Sequence, residues 1–123
     1  MTDDELRNRT ARQVLDDHLK LAKSWDFETD LERNFGDDIV LMTSYGIYRG
    51  IEGLRAKVNL LADQMPGGRW IYHQVMAEGK LGFLEWSGEA DNGARVEDGA
   101  DSYLIEDGRI RAMTIHYSVI EPG

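Results

Sequence analysis

The chain predicts an α+β fold, with helices gathered in its first half and long strands in its second. Two observations carry this. Apolar residues recur at helical spacing from Leu6 to Trp25 and from Ile51 to Met65, and everything after Met65-Pro66-Gly67-Gly68 runs in β-rich stretches broken by turns that hold glycine. No repeat, low-complexity tract or linker interrupts the pattern, so residues 1–123 read as a single domain.

Leu6, Thr10, Val14, His18, Leu21 and Trp25 mark an amphipathic first helix, with Thr2 and Glu5 placed as a capping box in front of it. Ser24 and Asp26 break and restart it, and Phe27, Leu31 and Phe35 at steps of four mark a shorter helix ending at Gly36. Ile39 to Ser44 is a short strand that Tyr45-Gly46 turns into Ile47-Tyr48-Arg49, a small hairpin. Ile51, Leu54, Val58, Leu61 and Met65 mark a third helix, stopped by proline and two glycines. Arg69 to Ala77, Leu81 to Ala90, Ala94 to Ile105 and Arg109 to Ile120 then form an antiparallel meander with the helices on one face.

The net charge of −9, with 23 carboxylates against 14 Lys and Arg, argues against a phosphate-binding surface. No nucleic-acid or membrane partner is expected. The chain holds no cysteine, which removes disulfides, thiol nucleophiles and Cys-ligated zinc. No apolar stretch resembles a signal peptide or a membrane span, so a cytoplasmic protein is expected. Phosphate-loop, dinucleotide, zinc-protease and serine-hydrolase motifs are absent, and the three histidines, His18, His73 and His116, fall on different elements. Neither a metal nor another cofactor is expected, and any site must be a pocket assembled by the fold.

Turn chemistry indicates which residues share that pocket. Asp91-Asn92-Gly93 and Glu106-Asp107-Gly108 read as three-residue hairpin loops with glycine in the left-handed region. That register opposes Ile105 to Arg109, Asp101 to Met113 and Gly99 to Ile115; in the other hairpin it opposes Ala90 to Ala94, Phe83 to Asp101 and Glu85 to Gly99. One face then carries Leu81, Phe83, Glu85, Asp101, Tyr103, Ile105, Met113, Ile115 and Tyr117. The other carries Leu84, Trp86, Asp98, Ala100, Ser102, Leu104, Thr114 and His116. A two-residue turn at Asp107-Gly108 would instead put Asp101 beside Thr114. The first face is the more apolar and is expected under the helices, with Asp101 and Glu85 as carboxylates among aromatics. Leu84, Trp86 and Leu104 on the uncovered face predict a homodimer. His18, a polar residue in an apolar helical stripe, is either a satisfied core residue or a base.

The same order of elements resembles the nuclear-transport-factor-2-like superfamily, and within it the SnoaL-like proteins. The resemblance is carried by Trp25-Asp26 closing the first helix, Phe27 to Asp38, Tyr48-Arg49-Gly50, Glu78-Gly79-Lys80 and Asp107-Gly108-Arg109-Ile110. It implies a cystatin-like curved sheet wrapped around N-terminal helices, a cone-shaped pocket and usually a homodimer. Asp101 falls where ketosteroid isomerases place a buried carboxylic acid, and His18 falls about where they place a tyrosine. Thr43 occupies the position of their proton-shuttling aspartate, which argues against that reaction, and no arginine adjoins Asp101 or Glu85 as the related epoxide hydrolases require.

The expectation is a pocket for a small, largely apolar, oxygen-bearing metabolite, with cofactor-free general acid–base chemistry of the isomerase, cyclase or dehydratase type. His18 is the expected base, and Asp101 donates a hydrogen bond to a developing oxyanion or orients His18. Trp25, Thr43, Phe83, Glu85, Met113, Ile115 and Tyr117 are the expected substrate contacts. The alternative is a non-catalytic ligand-binding or dimeric scaffold protein.

Overall fold

A computed structural model describes residues 1–123. Its elements are α1 (Asp3–Arg7), α2 (Ala11–Lys23), α3 (Phe27–Asn34), β1 (Phe35–Thr43), β2 (Gly46–Arg49), α4 (Gly50–Gln64), β3 (Arg69–Glu78), β4 (Leu81–Glu89), β5 (Arg95–Glu106) and β6 (Arg109–His116). The expected capping box at Thr2 and Glu5 is present, but it caps only the short α1. A second box, Thr10 with Gln13, restarts the chain as α2, so the first helical stretch is two helices. Asp26 caps α3, its side chain accepting from the Thr29 backbone N–H at 3.4 Å.

The six strands form one sheet in the order β2-β1-β6-β5-β4-β3. The meander β3 to β6 is antiparallel as expected, whereas β1 joins β6 in parallel, so the sheet is mixed. The helices cover its concave face, α4 against β1 and β2 and α2 against β3. Val14, Leu15, Leu31, Ile39, Leu41, Met65, Ile110 and Tyr117 are among the side chains sealed between the two layers.

The register differs from the expected one at both seams of β5. Towards β4 the hairpin closes as expected, Ala90 N–H donating to the Ala94 carbonyl at 2.8 Å. Beyond Gly88 and Val96, however, Glu97 and Asp98 together face Ser87, a bulge after which Trp86 opposes Gly99 and Leu84 opposes Asp101. The Asp98 side chain is held there by the Ser118 N–H at 2.8 Å. The bulge turns β4 over. Leu84 and Trp86 are buried on the concave face, while Leu81, Phe83 and Glu85 lie on the outer face.

Towards β6 the turn has two central residues, Asp107 (φ 53°) and Gly108 (φ 71°), and Glu106 pairs with Arg109. A bulge at Arg111 then restores the faces: Tyr103 opposes Met113, and Asp101 opposes Ile115, neither Met113 nor Thr114. Tyr103, Met113, Asp101 and Ile115 therefore share a face as expected, through a different pairing.

Candidate functional site

The concave face, α2, α3 and α4 enclose a cavity of about 100 Å³. Of its 21 lining residues 17 are hydrophobic, so four polar side chains set its chemistry: His18, Asp30, Lys57 and Asp101.

His18 sits on the buried stripe of α2 one turn after Val14. Its Nδ1 is 2.7 Å from Asp30 Oδ2, and Asp30 is fully buried on α3. Asn34, one turn further along α3, donates from Nδ2 to Asp30 Oδ1 at 2.9 Å and to Asp17 Oδ2 at 2.8 Å. Its carbonyl oxygen accepts from Arg9 at 2.8 Å, so the amide cannot turn. An acceptor at Nδ1 fixes the proton there and leaves the Nε2 lone pair free. Nε2 has no partner in the protein and is not sealed away from the cavity. The imidazole packs edge-on against Phe35 and Tyr103, with centroids 5.3 and 5.7 Å away. Burial alone would lower its pKa, but the Asp30 carboxylate, helped by Asp101 and Asp17, more than offsets this and raises it above the ordinary 6.5.

Asp101 enters from β5. Trp86 Nε1 donates to its Oδ1 at 2.9 Å, and the Tyr103 hydroxyl donates to Oδ2 at 3.1 Å. The first bond depends on the bulge, which brings the Trp86 ring over Gly99, where an added Cβ would come within 2.3 Å of it. Burial pushes the Asp101 pKa up to about 6, against the opposing pull of these two donors and of the positive charges of His18 and Lys57. At neutral pH the carboxylate form predominates, with both oxygens accepting.

Lys57 projects from α4 and is only 3% exposed. Its one hydrogen bond runs from Nζ to the Tyr117 hydroxyl at 2.6 Å, and that hydroxyl donates on to Gln64 Oε1 at 2.5 Å. The rings of Tyr117 and Tyr45 lie 4.6 and 5.7 Å from Nζ. Such contacts offer a cation ~0.5 to 2 kcal/mol, less than the several kcal/mol lost when an ion leaves water without a close counter-ion. Burial accordingly lowers the Lys57 pKa to about 8, with Asp101 the carboxylate that opposes the shift.

Of the residues expected at the site, His18, Asp101, Met113, Ile115 and Tyr117 line the cavity. Phe83 and Glu85 do not, because the bulge in β5 puts them outside. Trp25 stands behind the wall, packed on Trp70 with its Nε1 donating to the Gly68 carbonyl at 2.8 Å. Thr43 shapes the β1–β2 turn, its hydroxyl accepting from the Tyr45 N–H and donating to the Gly46 carbonyl. Asp30 rather than Asp101 holds His18. Asp30 and Lys57 were not singled out from the sequence, although each is a charged residue beside an apolar helical stripe, Phe27-Leu31 and Leu54-Leu61 respectively. No three His, Asp or Glu side chains converge as a metal site would need.

A family model described as the SnoaL-like domain matches residues 20–113. No curated protein matches the chain. Among solved structures, a nuclear-transport-factor-2-like protein of unknown function from Burkholderia xenovorans superposes with a TM-score of 0.73 at 19% identity, covering 92% of this chain and 84% of that one. A candidate SnoaL-like polyketide cyclase from Mesorhizobium loti gives 0.64 at 20% identity, covering 89% and 100%. A protein of unknown function with a cystatin-like fold from Methylobium petroleophilum gives 0.72 at 14% identity, covering 88% and 75%. At these identities the likeness is one of fold.

Proposed function

The chain belongs to the SnoaL-like domain family, and from the cavity that this fold builds here we propose a small-molecule protein in which His18 moves a proton on an apolar, oxygen-bearing metabolite. The observation that supports it is the His18 pair with Asp30: a buried carboxylate fixes the tautomer, and Nε2 is left free in a cavity that is otherwise almost wholly apolar. Taking a proton makes His18 an imidazolium, which Asp30 at 2.7 Å and the Asp101 carboxylate both stabilise. Asp101 thus acts at neutral pH as a counter-charge. Its protonated form, favoured below about pH 6, is the one able to donate to an oxyanion.

Volume limits the substrate. About 100 Å³ is nearer the ~150 Å³ that admits a single benzene ring than the ~300 to 1,000 Å³ of sites for drug-sized ligands. A compact metabolite of one ring or a short chain suits it, and a fused four-ring steroid does not.

The test is exchange of the α-protons of cyclohexanone in deuterated buffer, followed by NMR. The expected result is enzyme-dependent exchange that rises with pH as His18 loses its proton, falling by ~10² to 10⁴ in His18→Gln and by a smaller factor in Asp30→Asn. Exchange at the buffer rate in the presence of the wild type, with cyclohexanone bound, would replace this reading with the non-catalytic binder.

A further inference from the structure

We propose that Lys57 is a nucleophilic amine that forms an imine with a small ketone or aldehyde in the cavity, where its Nζ has the Tyr117 hydroxyl as its one hydrogen-bond partner and no carboxylate in contact. The inference rests on the reading of the cavity as a ligand site and names the ligand's reacting group.

An ammonium has three N–H donors to satisfy, and here only one finds an acceptor. The Tyr117 proton is directed to Gln64, so Tyr117 accepts from Lys57, and the other two hydrogens of this cavity-lining lysine have no acceptor in the protein. Burial lowers the Lys57 pKa to about 8, so a useful fraction is neutral near physiological pH. The surrounding charge decides between a covalent partner and a bound anion. Asp101 and Asp30 already line this cavity, and a further anion beside them would be repelled, whereas a carbonyl group is neutral.

In the step, the ammonium gives up a proton and the nitrogen lone pair adds to the carbonyl carbon. The C–N bond forms as the carbonyl π pair moves to oxygen, which takes up that proton to give a carbinolamine. A second proton, moved from nitrogen to the hydroxyl, lets water leave as the nitrogen lone pair closes the C=N bond. The nitrogen keeps its last hydrogen and carries the positive charge as the iminium, so that an ammonium and a carbonyl become an iminium and one water with no change of oxidation state. The iminium keeps the positive charge of Lys57 opposite Asp101 and acidifies the adjacent C–H bonds, which suits the free Nε2 of His18 in the same cavity.

The experiment treats the full chain with cyclohexanone and sodium cyanoborohydride, then reads intact mass and maps the modified lysine. Lys20, Lys23 and Lys80 are exposed and serve as internal controls. The expected result is a single cyclohexyl group on Lys57, attached ~10-fold or more faster than at the exposed lysines, and slowed by excess cyclohexanol. Lys57→Met should lose this fast labelling yet still bind cyclohexanol, read from the fluorescence of Trp70 and Trp86 on the cavity wall. Wild type that binds cyclohexanol but labels Lys57 no faster than Lys20 overturns the imine and leaves the ligand site standing. Wild type that neither binds cyclohexanol nor labels Lys57 overturns both.

Discussion

Strand β5 pairs with β4 on one side and β6 on the other, and the two seams use the same devices to opposite effect. Towards β4 the three-residue loop Asp91-Asn92-Gly93 is followed by a bulge at Glu97-Asp98. Towards β6 the two-residue turn Asp107-Gly108 is followed by a bulge at Arg111. The side chains that face each other depend on turn and bulge together, since each inserted residue moves the pairing by one position and exchanges the faces. At the β6 seam the bulge offsets the shorter turn, and Asp101, Tyr103, Met113 and Ile115 stay together. At the β4 seam nothing offsets the bulge, so Trp86 reaches Asp101 and Glu85 goes outside.

The sharpest way to break this comparison is to truncate neighbouring faces of β4. Trp86→Ala removes a buried ring packed against Trp70, Tyr117 and Asp101, and should cost ~3 to 5 kcal/mol in urea unfolding. Phe83→Ala, on the outer face, should cost about 1 kcal/mol or less if the chain is monomeric under those conditions. Equal losses at the two positions would mean that β4 is not turned over.

The two turns predict a smaller contrast. Gly93 (φ 90°) and Gly108 (φ 71°) both lie in the left-handed region, so alanine is strained at each. At Gly93 an added Cβ meets only Pro122 at 3.3 Å, and a loss of ~1 to 2 kcal/mol is expected. At Gly108 it would stand 1.8 Å from the Leu6 carbonyl oxygen, so α1 must shift and the loss should reach ~3 kcal/mol or more. Thermal unfolding of the two variants checks the order, and a Gly93→Ala variant as unstable as Gly108→Ala would contradict the two turn geometries.

The smallest effect on folding, though the largest on assembly, concerns the outer face where both seams meet. Ile47, Met42, Thr114, Ser102, Phe83 and Met76 form one continuous row across all six strands, with Val40, Ala112, Leu104 and Leu81 in the next row. Leu81 is 62% exposed, Ile47 57% and Met42 52%, an apolar sheet face without a cover. We expect a homodimer formed through this face rather than through Leu84 and Trp86. Sedimentation at micromolar concentration should show a dimer for the wild type and a monomer for Phe83→Glu, and a monomeric wild type would rule the pairing out.

Much of this molecule was legible in its residues. Helical spacing and capping chemistry are local, so α3, α4 and the four long strands followed from positions such as Asp26, Pro66 and Gly93. The resemblance to the SnoaL-like proteins likewise followed from the order of those elements. His18 and Asp101 stood out for a related reason, because a polar residue within an apolar stripe is visible wherever the stripe is. Lys57 carries the same signal between Leu54 and Leu61, and Asp30 a weaker one beside Phe27 and Leu31.

Tertiary structure alone decided the partners. The parallel contact of β1 with β6 depends on how the whole chain returns, and no local pattern encodes it. The β5 bulge is held by the bond between Asp98 and Ser118, residues 20 positions apart in sequence. The His18 bond to Asp30 likewise joins two helices through the packing of α2 on α3. Periodicity reports which way a side chain points relative to its own element, because backbone geometry repeats over a few residues. Which side chain it meets is a property of long-range packing, and an inserted residue in one strand is enough to reassign it.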